Sequence, residues 1–205
     1  MPRAFTTDEA AIIRSTLLGA GAACFARSGI RRTTVDELAR AAGISKGAFY
    51  KFFPTKESLF LTLIEDYETS THAEIEAAVR EDPGGGLEVL IDAALRATEQ
   101  NPLLPVAMSD EGLALMRHMS DAEREAFVLR DVHLIDRILR VLSEAGVAVN
   151  VPANVLVGLL RALVFVGWHR REVGEDLVDE LAGWLTPTLR AAMLGGPAPS
   201  GGSDG

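Results

Sequence analysis

Apolar residues recur at helical spacing along most of the chain, and no stretch of useful length alternates between apolar and polar positions. The first stripe follows a capping box at Thr6–Glu9, in which the two side chains satisfy each other's backbone N–H groups. It predicts a helix to about Arg27. Further stripes predict helices over about 54–80, 87–98, 110–118, 121–144, 152–169 and 175–193. The pattern therefore predicts an all-α fold.

Two short helices joined by a tight turn are predicted between residues 33 and 53. Thr34 and Glu37 form a capping box that begins the first helix. Gly43 ends it, because a left-handed backbone is accessible to glycine at little cost, and Ser45 caps the second helix. Pro54 closes the second helix. The small, turn-forming and anchoring positions of a helix-turn-helix are occupied by Ala39, Gly43 and Phe49.

The exposed side of this unit suits DNA. In a helix-turn-helix, the first residues of the second helix meet base edges in the major groove, and here they are small or cationic. A phenol and two ammonium groups follow where they can reach flanking phosphates. All three lysines of the chain lie between residues 46 and 56, in this unit or just after it, and solubility alone does not explain the clustering. The predicted DNA-binding residues are Thr34, Ser45, Lys46, Gly47, Ala48, Tyr50, Lys51 and Lys56.

The roles of three cationic residues stay open between two interpretations. Lys46 can donate to guanine O6 and N7, or it can grip a phosphate as many lysines at helix starts do. Arg31 and Arg32 precede the first of the two short helices, where arginines contact phosphate or are merely solvated.

Residues from about Asp8 to Asp66 resemble the DNA-binding domain of the TetR/AcrR family of bacterial transcriptional regulators. The family's pattern is a threonine-led helix, an A-G-[VI]-S turn, a G-x-[FY]-Y-x-[FY]-F segment and a K-E pair. This chain supplies these features at Thr34, Ala42-Gly43-Ile44-Ser45, residues 47–53 and Lys56-Glu57. The resemblance covers under a third of the chain, and it implies a dimeric regulator of transcription.

The formal net charge of −9 is unevenly divided along the chain. Residues 1–60 hold nine Lys+Arg against five Asp+Glu, a net +4, and residues 61–205 hold eleven against twenty-four, a net −13. A basic head on an acidic body can hold DNA at one end and repel it elsewhere. A single cysteine and the absence of a signal-peptide pattern in the first residues favour a cytoplasmic protein.

Breaks in composition predict the domain organisation. We expect a helix-turn-helix domain over 1–53 and an effector-binding and dimerisation domain over 54–194, with the helix at 54–80 linking the two. The Gly/Pro/Ser-rich segment 195–205 is expected to be disordered.

The helix predicted over 152–169 is apolar around nearly its whole circumference, so it must be covered on all sides. It either lies at the centre of a monomeric bundle or pairs with a second subunit. Two binding heads on one palindrome favour the dimer. The charge of Arg161 and a length near 18 residues argue against a membrane span. The predicted dimer-interface residues are Val157, Arg161, Val164, Trp184 and Leu185.

Methionine and aromatic side chains of the predicted domain 54–194 are candidates for the lining of an effector pocket, although each one can equally be an ordinary core residue. They are Met108, Met116, Met119, Phe127, Phe165 and Trp168. The four histidines show no metal-binding spacing, and acidic pairs such as Asp110-Glu111 are typical partners of a helix dipole. We therefore predict no metal, no cofactor and no catalytic site.

Together these patterns predict a DNA-binding transcriptional regulator, a repressor that binds a palindromic operator as a homodimer and responds to a small molecule. Two alternatives stay open. A helical enzyme that binds a small molecule would need a converging nucleophile and base, and the sequence offers none. An architectural DNA-binding protein without an effector would lack a cavity in its body.

Overall fold

The computed structural model describes residues 5–147 and 149–193. These residues form α-helices and one 3-10 turn at Pro83–Gly85, without a strand, so the all-α prediction is confirmed. The predicted disordered tail lies outside the described residues. The helices are α1 (Thr7–Arg32), α2 (Val35–Ala41), α3 (Lys46–Phe49), α4 (Lys56–Glu81), α5 (Gly86–Gln100), α6 (Leu104–Met108), α7 (Asp110–Arg117), α8 (Asp121–Glu144), α9 (Ala153–Trp168), α10 (Arg170–Val173) and α11 (Glu175–Met193).

Side-chain caps determine where several helices begin. Thr6, Thr34 and Ser120 each form a reciprocal capping box with the glutamate three residues later. The hydrogen bonds from Thr34 lower the pKa of Glu37, and those from Ser120 lower the pKa of Glu123. These caps are visible in the sequence, and α8 has the bounds that the sequence predicts.

The sequence pattern differs from the structure at three places. It does not predict α6 or α10, each of which is at most five residues long. Pro105 looks like a break in the sequence but lies in the first turn of α6, where a missing N–H costs nothing. The first helix continues to Arg32 beyond its predicted end, with a non-helical interruption at Gly29, whose φ is 75°.

The chain divides into two compact units, and α4 contributes to both. The N-terminal unit holds residues up to Thr69 together with Asn101–Met119. The C-terminal unit holds Ser70–Gln100 and the described residues from Ser120 onward. The sequence places 101–119 in the predicted effector-binding domain. The structure instead groups this segment with the N-terminal unit, because α6 and α7 pack against α1.

Aromatic and leucine side chains of α1 and α4 form the core of the N-terminal unit. Leu17 and Phe25 on α1 are fully buried, and Phe25 packs edge-on against Phe60 with ring centroids 5.3 Å apart. By length and composition alone, α1 is apolar enough to cross a membrane. Core helices of soluble proteins also pass this test, and α1 buries Leu17 and Phe25 in the core of its unit.

In the C-terminal unit, α5 lies along α9 and buries the face that the sequence predicts. The two backbones approach each other closely at Gly167, where an added Cβ would lie 2.1 Å from the Leu95 carbonyl oxygen. Only a residue without a side chain permits this approach. The buried face of α5 consists of Leu87, Leu90, Ile91, Ala94 and Leu95.

Gly167→Ala should therefore lower the free energy of unfolding by about 1–3 kcal/mol, because the extra methyl group forces α5 and α9 apart. Thermal unfolding should show a melting temperature lower by about 2–12 °C. Gly19→Ala in α1 is the matched control, since its Cβ would meet nothing within 4 Å. That change should be neutral or stabilising, because alanine favours a helix over glycine. Equal melting temperatures for the two variants would contradict the close approach.

Candidate nucleic-acid interface

The turn between α2 and α3 has the geometry of a helix-turn-helix. Gly43 lies in the left-handed region with φ of 66°, and the Ile44 N–H donates to the Ala39 carbonyl at 3.0 Å. Ala39 is 2% exposed and Phe49 is fully buried, so the small and anchoring positions hold the two helices together. The predicted helix-turn-helix is confirmed.

The start of α3 faces open space. Ser45, Lys46 and Gly47 are exposed, and a Cβ added at Gly47 would meet nothing within 4 Å. The Ser45 Oγ accepts the Ala48 N–H at 3.2 Å, so this hydroxyl caps the helix. Ala48 itself is half-buried. The backbone can thus be approached closely at Gly47, as the predicted groove contact requires, and the contact itself stays a prediction.

Other predicted DNA-binding side chains surround this start. Tyr50 is 50% exposed, and Lys51 is exposed with its ammonium 5.7 Å from the centroid of the Phe5 ring. Thr34 is exposed, but its hydroxyl exchanges hydrogen bonds with Glu37 at the start of α2. Thr34 therefore has a structural role at the beginning of α2, beside which a DNA contact stays a prediction.

Lys46 has a partner that the sequence analysis does not identify. Its Nζ donates to the Asp36 Oδ2 on α2 at 2.8 Å, and this hydrogen bond raises the pKa of Lys46. Both side chains are more than half exposed. An ammonium has three N–H groups, so the bond to Asp36 leaves donors for DNA while it restrains the direction of the side chain.

The base-reading role of Lys46 can be tested with this pair. Lys46→Ala should relax preference at one base pair of each half-site, by about 1–3 kcal/mol, and leave the other positions nearly intact. Binding to every single-base operator variant measures this. Asp36→Asn keeps Lys46 but removes its negatively charged partner. We therefore expect stronger binding to all DNA sequences and a steeper salt dependence. A uniform loss across all variants in Lys46→Ala would place Lys46 on the phosphate backbone.

Lys56 is placed differently from its predicted role as a phosphate contact. Its Nζ donates to the carbonyl oxygens of Ile30, Arg31 and Thr33 at 2.7, 3.1 and 2.7 Å. These three acceptors match the three N–H groups of an ammonium. Lys56 therefore holds the end of α1 in this structure, and the hydrogen bonds count against a phosphate contact.

Glu111, like Asp36, contacts residues that only the tertiary fold brings near it. The sequence suggests a helix-dipole partner at the start of α7, whereas the structure directs its carboxylate to backbone N–H groups of Ile30 and Arg31. No local pattern signals this contact, because the partners are 80 residues or more apart in the chain.

The outward face of α9 differs from the predicted dimer interface. Val157 is 5% exposed and packs in the core of its own unit, which corrects its assignment to a dimer surface. Arg161 forms an ion pair with Asp131, with 2.8 Å between the guanidinium nitrogen and the carboxylate oxygen. Burial alone would raise the pKa of Asp131, but hydrogen bonds from His72 and Arg161 lower it below its usual value. Val164 and Leu185 also pack partly against the core.

Both α9 and α11 nevertheless expose small or apolar residues, on α11 together with charged ones. On α9, Val155 is 54% and Phe165 is 55% exposed, with Gly158 and Ala162 exposed between them. On α11, Trp184 is 62% exposed, as its predicted interface role requires. The exposed apolar residues of α11 are Leu177, Leu181 and Trp184.

The predicted pocket residues are divided between the two units. The three methionines belong to the N-terminal unit, and Phe127, Phe165 and Trp168 belong to the C-terminal unit. Phe165 faces outward, with its ring 6.4 Å from that of Trp168, so it is better assigned to the outward face. The C-terminal unit has an open groove of about 400 Å³ between α4 and α5, which none of the six residues lines.

Within residues 5–147 and 149–193, no group of three or more His, Cys, Asp or Glu side chains is placed to hold a metal ion. The described side chains therefore offer no candidate metal site.

Known proteins share both the N-terminal sequence and the fold. Residues 17–63 match the model of the bacterial regulatory proteins, tetR family. The nucleoid occlusion factor SlmA of Haemophilus ducreyi is 34% identical over 76 residues, which are 36% of this chain and 38% of that protein. The matched part thus spans less than half the length of this relative.

Solved structures resemble the whole described chain. A TetR-family transcriptional regulator from Pectobacterium atrosepticum superposes with a TM-score of 0.64 at 22% identity, covering 93% of this chain and 98% of that one. SmeT of Stenotrophomonas maltophilia, in complex with triclosan, gives a TM-score of 0.57 at 21% identity, covering 88% and 90%. Residues 17–63 therefore carry the helix-turn-helix domain of the tetR family of bacterial regulatory proteins, and the described chain has the fold of a solved TetR-family regulator.

Proposed function

We propose that this protein is a cytoplasmic transcriptional repressor that binds a palindromic operator as a homodimer and releases it when a small molecule binds. The observation that carries this proposal is the start of α3, where Ser45, Lys46 and Gly47 are exposed and a Cβ added at Gly47 would meet nothing within 4 Å. Tyr50 and Lys51 flank it with groups that bind phosphate. A helix start with these features fits a major groove.

The outward apolar residues of α9 and α11 support the homodimer. Exposed residues at positions 155, 158, 162 and 165 follow the spacing of one helix face, and two of them are small enough to let a partner helix approach. A two-fold dimer would present two α3 helices to half-sites about 34 Å apart, which is one turn of DNA.

The groove between α4 and α5 supports an effector. It is an open surface groove of about 400 Å³, in which the apolar Ile75 and Val89 lie among polar side chains that include three carboxylates, those of Glu74, Glu88 and Asp92. The solved structure of SmeT is a complex with triclosan, and SmeT is described as the repressor of a multidrug efflux pump. We propose that an effector moves α4, the helix that begins at Lys56, and thereby changes the spacing of the two heads. A coupling of about 1–3 kcal/mol would change operator affinity about 5- to 150-fold.

A second candidate, a DNA-binding factor without an effector, is favoured by the similarity to nucleoid occlusion factors. The experiment that tests the main proposal is selection of genomic DNA fragments by the purified protein, followed by sequencing of the retained DNA. We expect a short list of palindromes and, near them, genes whose products suggest a ligand. Retention of many unrelated sites would favour the second candidate, and retention of no DNA would overturn both.

A further inference from the structure

A carboxylate from α7 holds the end of α1. Glu111 Oε1 accepts the Ile30 N–H at 3.0 Å, and Glu111 Oε2 accepts the Arg31 N–H at 2.9 Å. Hydrogen bonds to an ionised acceptor are about twice as strong as neutral ones, and two parallel bonds also fix direction. The segment 101–119 is thereby joined to the connection between α1 and α2.

Two glycines make room for this contact. A Cβ added at Gly29 would lie 2.1 Å from Glu111 Oε1, and the φ of Gly29 is 75°, a conformation that other residues rarely adopt. A Cβ added at Gly112 would lie 2.2 Å from the Ala107 carbonyl oxygen, so α6 and α7 also meet without a side chain between them. Close packing of the backbone at Gly29 and at Gly112 therefore holds the Glu111 carboxylate against the two N–H groups.

The carbonyl groups of the same connection are held from another direction. Lys56 on α4 donates to the carbonyls of Ile30, Arg31 and Thr33. Thr33 is 1% exposed, and its hydroxyl donates to the Gly29 carbonyl at 2.8 Å. An anion thus binds the N–H groups and a cation binds the carbonyl groups of one short segment, which restrains its backbone.

This segment sets the position of the DNA-binding surface. It carries the exposed Arg31 and Arg32, and it leads directly into Thr34, the cap of α2. The first turn of α2 holds Asp36, the partner of Lys46 at the start of α3. A displacement of the segment would therefore move both flanking arginines and the restraint on Lys46.

We propose that Glu111 is a positioning residue of the DNA-binding head, through which the segment 101–119 tunes the selectivity for operator over random DNA. This inference rests on the proposed operator binding. A purely electrostatic role would have the opposite sign, because a negative charge beside Arg31 repels phosphate, and its removal would strengthen binding to every DNA.

The test compares full-length wild type with Glu111→Gln, Glu111→Ala and the control Asp110→Ala, which removes the neighbouring exposed carboxylate. Binding is measured to the selected operator and to random DNA, with hydrogen exchange followed at the Ile30 and Arg31 amides. In Glu111→Ala we expect exchange at these amides to rise about tenfold, which corresponds to loss of one hydrogen bond to a charged group. Operator affinity should fall about fivefold or more while affinity for random DNA holds or rises.

Glu111→Gln should lie between wild type and Glu111→Ala, because its amide oxygen can still accept one N–H and its shape preserves the fold. Asp110→Ala should match wild type in amide exchange and in operator selectivity. Operator affinity that is unchanged or raised in a folded Glu111→Gln, or an equal loss for operator and random DNA, would overturn the inference. A wild type that selects no DNA would instead overturn the proposed function.

Discussion

Phe165→Asp and Trp184→Asp should each give a folded monomer whose operator affinity is lower by about 100- to 10,000-fold, the factor gained when two linked heads bind one site. Both side chains are more than half exposed in the protomer, so a charge there costs the isolated subunit little. It would cost an apolar dimer interface heavily, because an unpaired carboxylate would be buried. Light scattering measures the mass, and operator titration measures the affinity.

Two further variants separate assembly from folding. Leu129→Asp on α8 is the control for an exposed apolar residue of the same unit that is outside the proposed interface, and it should stay a dimer. Val157→Asp should unfold the protein instead, since Val157 packs in the core. If Phe165→Asp and Trp184→Asp both remain dimers with full operator affinity, the subunits meet through another surface.

Lys56→Ala should lower the free energy of unfolding by about 1.5–3 kcal/mol or more, the usual contribution of one hydrogen bond to a charged group. Three backbone carbonyls lose their ammonium partner in this variant. Chemical denaturation measures the loss. The salt dependence of operator binding should keep its slope, because an ammonium occupied by carbonyl groups neutralises no phosphate.

Lys51→Ala is the matched control for Lys56→Ala. Lys51 is exposed and lies at the predicted phosphate surface, so its removal should lower the salt slope by about one unit and leave stability nearly unchanged. A lower slope in Lys56→Ala with normal stability would restore the phosphate contact that its sequence position suggests.

Local features of the fold could be predicted because their signals lie within a few residues of each other. The capping boxes at Thr6 and Thr34 join residues three apart, and the left-handed turn at Gly43 needs only one glycine. The buried face of α5 follows from a single amphipathic stripe. The bounds of α8 and α11 follow from the same periodicity, interrupted by turn residues.

Features that depend on three-dimensional packing could not be predicted. An apolar helix such as α9 gives no sign of which side faces outward. The pattern therefore predicts Val157 at the dimer interface and Phe165 in the pocket, whereas the structure buries Val157 and exposes Phe165. Lys56 and Glu111 look like a phosphate ligand and a dipole partner, because their backbone partners come from a distant part of the chain. The same limit hides the grouping of 101–119 with the head.

Every lysine of the chain lies between Lys46 and Lys56, which makes the head selectively reactive toward acylating reagents. Lys46 and Lys51 are exposed, so both should acylate in the free protein and both should be shielded by bound operator. Lys46 should react more slowly than Lys51, because its hydrogen bond to Asp36 raises the pKa of its amine. Lys56 should react slowly with or without DNA, since its amine must first leave three carbonyl oxygens. Mass spectrometry of acylated peptides would therefore measure how much operator is bound through the labelling of Lys46 and Lys51. Lys56 would serve as the internal reference, and residues 61–205, which contain no lysine, would carry no label on a lysine side chain.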